Sequence, residues 1–265
     1  MALQFEALGS FGVRILGADA DSLSGPHAGD FRRAFRDHRL VLLQAPGLDD
    51  EQHVRLTRVL GEVSFASPNM KSGRPFSYIS NVHSDGTLRD GELLFHADLS
   101  FFPEPLKAIS LYAMQVPSKG GQTLFTDAGL AYQRLPESLR QTLEGLSARH
   151  VATYGVGRKD TRPVYDEAAK NTMSAVHPVV WPHPETGHKI LFVSRLLTES
   201  IIGLPHDESE DLLQELFSHI EDPAHVQAHT WSVGDYLVWD NRALQHARTH
   251  FDPAEKRAMR RVPIQ

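Results

Sequence analysis

Residues 93–101 read Leu93-Leu94-Phe95-His96-Ala97-Asp98-Leu99-Ser100-Phe101. Apolar side chains dominate this run, and its length and composition predict a buried strand. Side chains at i and i+2 of a strand leave the same face. The imidazole of His96 and the carboxylate of Asp98 are therefore expected to project together from a largely apolar wall. One further histidine would complete the two-histidine, one-carboxylate facial triad that holds Fe(II) and leaves coordination positions open. The spacing alone is unspecific, because the chain carries 15 histidines and most His-x-Asp pairs are surface groups or ion pairs. Its weight comes from the rest of the chain.

Outward from this stretch, strand signals recur at short intervals. Residues 11–18, 40–43, 76–82, 108–116, 123–126 and 189–194 are apolar or alternating runs, punctuated by turn residues such as Gly86 and Gly120-Gly121. Three strands, 226–231, 235–239 and 257–264, are expected to finish the chain. Helical signals are fewer. Residues 27–38 read as a short helix and 207–221 as an amphipathic one, and Pro136 starts a helix with Leu139, Leu143 and Leu146 on one face. Asp49 with Gln52 forms a capping box that opens a helix through Leu60, closed by Gly61.

Many strands with helices between them predict a mainly β protein with inserted helices, a double-stranded β-helix (jelly roll) in a two-sheet sandwich. A doubly wound α/β fold fits worse. Helices and strands do not alternate regularly, and Gly155-Val156-Gly157 lacks the third glycine and following helix of a dinucleotide loop. No repeat, low-complexity tract or linker divides the chain, so 1–265 is expected to be one domain. Residues 152–176 are polar and aperiodic, as expected of a long binding loop or lid.

Composition narrows the function. With 41% hydrophobic and 23% charged residues, this is an ordinary globular chain. A net charge of −6 and the absence of a Lys/Arg stripe disfavour nucleic acid. The start lacks a signal peptide's basic and apolar regions, and no apolar run approaches membrane-spanning length. A cytoplasmic protein with small-molecule partners is expected. A homo-oligomer is compatible with the sequence. There are no cysteines, so any metal must use His, Asp, Glu or water.

Four further motifs accompany His96-Ala97-Asp98-Leu99-Ser100-Phe101. They are Ile79-Ser80-Asn81-Val82, the run from Pro117 to Thr123 (PSKGGQT), Trp239-Asp240-Asn241-Arg242 with His246 following, and Arg257-Ala258-Met259-Arg260-Arg261. In this order and spacing the chain resembles the taurine/2,4-dichlorophenoxyacetate dioxygenase family of Fe(II)- and 2-oxoglutarate-dependent oxygenases over most of its length. The resemblance implies that His96, Asp98 and His246 hold the metal and that Thr123 binds 2-oxoglutarate. It also implies that Arg257 pairs with the C5 carboxylate of this cosubstrate and that Arg261 meets an anionic group of the substrate. The implied reaction uses O2, hydroxylates or otherwise oxidises a C–H bond, and releases succinate and CO2. Related halogenases carry a small residue at the carboxylate position. Asp98 is present here, which implies hydroxylation rather than halogenation.

Residue chemistry agrees with these roles. If 257–264 is a strand, Arg257 and Arg261 share a face, and arginine grips carboxylate or sulfonate with a planar fork. Arg260 then falls on the opposite face and is expected to be solvated or ion-paired. His250 lies four residues after His246, and spacing alone does not choose between them. Trp239, Asn241, Arg242 and His177 are expected to be structural. Phe101, Phe102 and Tyr154 are expected in the core. An alternative reading is a non-catalytic jelly-roll protein that binds a metal or small acid.

Overall fold

The computed structural model describes residues 3–65, 73–152 and 173–265. Strands β1 (Gln4–Ala7) and β2 (Val13–Leu16) form an antiparallel hairpin. Helices α1 (Ala20–Ser24) and α2 (Ala28–His38) lead to β3 (Leu40–Gln44) and α3 (Asp50–Arg58). Then come β4 (Ser77–Ser80), β5 (Leu93–His96), β6 (Ala108–Gln115) and β7 (Thr123–Asp127). A long insertion follows, with α4 (Ala128–Arg134), α5 (Glu137–Thr142), β8 (Ser147–Val151), β9 (Ser174–Pro178), β10 (Val180–Pro182), β11 (Lys189–Leu191), β12 (Thr198–Ile201) and α6 (His206–Ile220). The chain closes with β13 (Gln227–His229), β14 (Asp235–Asp240), β15 (Leu244–Arg248) and β16 (Ala258–Ile264).

Two sheets form the core of the fold, while the insertion pairs its own strands as β12-β8-β9 and β10-β11. A seven-stranded sheet has the order β1-β2-β3-β14-β6-β16-β4, and a four-stranded sheet the order β13-β7-β15-β5. Between them Leu42, Ile109, Leu111, Leu237, Trp239 and Met259 of the large sheet meet Leu93, Phe125 and Leu244 of the small one. Helices α1, α2 and α3 cover the other face of the large sheet, where Phe31, Phe35 and Leu56 join Val41, Tyr236, Val238 and Val262 in one cluster. Strands β14 and β16 are consequently buried at every residue. The insertion has its own cluster, including Leu139, Leu143, Leu213, Leu216 and Phe217. This is the expected mainly β jelly roll with inserted helices. No helix among the described residues is long and apolar enough to cross a membrane.

Local chemistry explains several boundaries. Gln52 N donates to Asp49 Oδ1 at 2.8 Å, and Asp49 N donates to Gln52 Oε1 at 3.3 Å, which closes the expected capping box. Helix α3 ends at Arg58, two residues before Leu60. The strand expected across 93–101 stops at His96, and Asp98 to Phe101 form turns. Leu99 there has φ +57°, a conformation no regular strand accepts. Four strands, not three, finish the chain, because β15 is a strand of its own. The loop expected at 152–176 is partly strand, since β9 starts at Ser174; 153–172, with Tyr154 and the Gly155/Gly157 pair, lie outside the described residues.

Candidate metal centre and cosubstrate pocket

Strands β5 and β15 are neighbours in the small sheet, and their register sets His246 opposite His96. The two rings lie 4.2 Å apart, centroid to centroid. Asp98 reaches them from the turn after β5 rather than from the strand itself. Asn241 holds that turn: its Oδ1 accepts from Asp98 N at 2.8 Å, and its Nδ2 donates to Asp98 O at 2.9 Å and Leu106 O at 3.1 Å. Arg242 donates to Pro105 O at 3.1 Å. Both residues thus have the structural role expected of them. His96 Nε2 stands 3.2 Å from Asp98 Oδ1. One ligand atom from each of His96, Asp98 and His246 lies within 4.8 Å of the others, and among the described residues this is the group able to hold a metal ion.

The protonation states suit a cation. His96 Nδ1 lies 2.8 Å from Leu94 O, which can only accept, so Nδ1 carries a proton and Nε2 is the ring nitrogen turned toward Asp98. Burial, reinforced by His96, pushes His246 down to about 3, so its ring is neutral. Burial alone would raise the Asp98 carboxyl. Arg261 outweighs it and holds Asp98 well below the usual carboxylate range. Imidazole nitrogens with one carboxylate are the donors that Fe(II) takes.

Arg257 and Arg261 both line the cavity that contains the triad, together with Thr123 and an apolar wall that includes Ile79, Leu88 and Leu93. Arg261 is paired: its Nη2 and Nε donate to Asp98 Oδ2 at 2.7 and 3.2 Å, while its Nη1 has no partner. Arg257 is 2% exposed, and neither its Nε nor its Nη1 has a hydrogen-bond partner. Burial, with Arg248 nearby, lowers it to about 9. Its backbone is pinned by a bond to Asn81 Oδ1 at 2.8 Å, and its guanidinium lies 5.8 Å from the Phe251 ring centre. Gly121 (φ +66°) lets the 120–121 turn pass close by; a Cβ there would stand 3.4 Å from Arg257 Nε. Thr123 Oγ1 accepts from Trp231 Nε1 at 3.0 Å, so its own proton remains free to donate into the cavity. A buried guanidinium lacking partners, beside a free hydroxyl, is a receptor for a carboxylate.

Some neighbours depart from expectation. Arg260 is ion-paired but not solvated. It is 2% exposed, donates through Nε to His53 Nδ1 at 2.9 Å and through Nη2 to Leu48 O and Asp49 O at 2.7 and 2.9 Å, and pairs closely with Asp50. Helix α3 buries the face that alternation assigns to solvent. Arg248, two residues after His246, emerges as a clamp. It donates to Leu88 O at 2.7 Å, Asp90 O at 2.6 Å and Gly91 O at 2.9 Å, holding the segment before β5 in which Leu88 has φ +48°. Its even spacing from His246 is a weak signal for that role. Trp239 packs against His246 at 4.8 Å, and His177 Nε2 bonds Phe102 O at 2.9 Å, both as expected. His250 is exposed and outside the triad.

The family model for taurine catabolism dioxygenase TauD, TfdA family, matches residues 4–262. The chain is 32% identical to the (S)-phenoxypropionate/alpha-ketoglutarate-dioxygenase of Sphingobium herbicidovorans, over 94% of this chain and 90% of that one. It is also 32% identical to the alpha-ketoglutarate-dependent 2,4-dichlorophenoxyacetate dioxygenase of Cupriavidus pinatubonensis, over 91% and 90%. Among solved structures, a taurine dioxygenase from Burkholderia xenovorans superimposes with a TM-score of 0.82 at 28% identity, covering 100% of this chain and 89% of that one. AAD-2 in complex with Mn(II) and N-oxalylglycine superimposes at 0.83 and 26%, covering 100% and 97%. The chain belongs to the TauD/TfdA family. It is a 2-oxoglutarate-dependent dioxygenase of the non-haem iron class.

Proposed function

We propose that the protein, acting as one domain over 1–265, hydroxylates a C–H bond of a small anionic substrate, a phenoxy-acid or sulfonate. The observation that carries this reading is one cavity holding three convergent metal donors and a buried arginine, two of whose nitrogens have no hydrogen-bond partner. His96, Asp98 and His246 would hold Fe(II). When bound, that ion supplies oxidation by O2 coupled to conversion of 2-oxoglutarate into succinate and CO2.

The chain's own groups do the positioning. Arg257 receives the distal carboxylate of 2-oxoglutarate in a bidentate fork, and the Thr123 hydroxyl donates to the same cosubstrate. Arg261 keeps Asp98 oriented through Oδ2 and offers its remaining Nη1 to the anionic end of the substrate. Ile79, Leu88 and Leu93 form an apolar wall that excludes water from the reacting carbon.

Anaerobic protein loaded with Fe(II) and 2-oxoglutarate is expected to show a visible charge-transfer band. Phenoxyacetates, 2-phenoxypropionates and sulfonates are the compounds to screen for a shift of that band and, in air, for succinate release. Arg261→Ala is expected to weaken the best anion by roughly 30-fold or more, the cost of stranding a charge in a partly buried site. Unchanged affinity in that variant removes Arg261 from substrate recognition, and no shift with any anion overturns the substrate class.

A further inference from the structure

Of the motif Ile79-Ser80-Asn81-Val82, Ile79 lines the cavity and the other three residues do not. Their contacts lead elsewhere, to Arg257. Strand β4 is an edge of the large sheet and ends at Ser80. Ser80, 1% exposed, turns the chain there: its Oγ accepts from Val82 N at 3.0 Å and from His83 N at 3.2 Å. Asn81 is thereby presented to the segment 253–257, which leads into β16.

Asn81 makes four hydrogen bonds to that segment. Its Oδ1 accepts from Arg257 N at 2.8 Å, and its N donates to Arg257 O at 3.1 Å. Its Nδ2 donates to Glu255 O at 2.7 Å and to Pro253 O at 3.2 Å. Both backbone polar groups of Arg257 thus end on one residue. One planar amide supplies an acceptor and two donors to three points of the segment, which asparagine does at this length. Aspartate would set an acceptor against two carbonyls, and glutamine would carry the amide one methylene too far.

The sheet ladder does not hold Arg257. Strand β16 begins at Ala258, and its pairing with β6 shifts register between Ala258 and Met259. Hydrogen bonds of the side chain do not hold it either, because Nε and Nη1 have no partner. The guanidinium rests against Phe251 and the 120–121 turn, and its aim is set by the backbone at its base. A fork that receives a carboxylate through two parallel bonds must be placed to within about 0.5 Å.

We propose that Asn81 is a positioning residue for the cosubstrate: it fixes the backbone of Arg257 so that the guanidinium meets the distal carboxylate of 2-oxoglutarate. This rests on the reading of Arg257 as the receptor for that carboxylate.

Two keto acids separate an effect through Arg257 from a general loosening of the fold. 2-Oxoglutarate and 2-oxopentanoate share the same keto-acid end, and the second has a methyl group where the first has its distal carboxylate. Each is titrated anaerobically into the Fe(II)-loaded protein while the charge-transfer band is followed. Asn81→Ala is expected to raise the 2-oxoglutarate Kd roughly tenfold, the effect of a misplacement of less than about 1 Å, and to leave the 2-oxopentanoate Kd within about twofold of wild type. In the Arg257→Met background the same substitution is expected to have no further effect on 2-oxoglutarate, because the group it acts through has gone. Should Asn81→Ala fail to fold, Asn81→Gln is expected to give the same split between the two keto acids. An unchanged 2-oxoglutarate Kd, an equal loss for both keto acids, or a loss that persists in the Arg257→Met background overturns the role of Asn81 and leaves that of Arg257 standing. If Arg257→Met by itself leaves the 2-oxoglutarate Kd unchanged, the receptor reading of Arg257 falls, and the role of Asn81 falls with it.

Discussion

Arg257 and Arg260 are three residues apart, each is 2% exposed, and they lead opposite lives. Arg260 points to the outer face of the large sheet, where α3 supplies Asp50 and His53, and the two residues before it supply carbonyls, so that all three of its nitrogens are bonded. Arg257 enters the inner cavity, and two of its nitrogens have no partner. A buried cation costs several kcal/mol unless it is paired and hydrogen-bonded. Arg260 meets that cost within the chain and belongs to the scaffold. Arg257 meets it when an anion arrives, and belongs to the site.

Mutation is expected to separate the two. Arg260→Met strands Leu48 O, Asp49 O and His53 Nδ1 in the interior and is expected to remove about 3 kcal/mol of stability, read as the urea midpoint. A loss below about 1 kcal/mol would break the contrast. Arg257→Met is expected to raise the 2-oxoglutarate Kd at least about 30-fold, or about 2 kcal/mol, by anaerobic titration calorimetry. Its urea midpoint without ligand is expected to match or exceed wild type, because an uncompensated charge has gone. A clear drop in that midpoint would make Arg257 structural after all.

Acid sharpens the comparison on the scaffold side. Burial, with Arg260 beside it, holds His53 well below its ordinary 6.5. Below about pH 6.5 the unfolded chain takes up a proton at this position that the folded chain refuses. The contribution is therefore complete above that pH and is lost as pH falls, by up to about 1.4 kcal/mol per pH unit. His53→Gln is expected to flatten the decline in urea midpoint between pH 6.5 and 5, and an unchanged slope would remove His53 as its source. The smallest effect concerns the neutral partner of Arg257. Thr123→Val is expected to raise the 2-oxoglutarate Kd about fivefold, one neutral hydrogen bond's worth. Thr123→Ser, which keeps a hydroxyl for both Trp231 and the ligand, is expected to match wild type.

Much of the site could be read from one dimension because its signals are local or ordered. The Asp49/Gln52 capping box depends on residues three apart, and the jelly roll follows from many short strands with few helices. His96, Asp98, Thr123, His246, Arg257 and Arg261 stand in motifs whose order and spacing survive without a structure. Alternation also separated Arg260 from Arg257 and Arg261.

What alternation could not decide was which faces are buried. A period of two distinguishes two sides of β16 but does not say that α3 covers the second one, and so it left Arg260 either solvated or ion-paired. The same period put Asp98 on a strand, whereas Asn241, 143 residues away, folds it into a turn. The pairing of β15 with β5 and the Arg248 clamp likewise arise from contacts between segments far apart in the chain. Donor chemistry is a property of residue types and is written in the sequence. Their convergence on one point, and the choice of which buried charge goes unpaired, depend on packing between distant elements and belong to the tertiary structure.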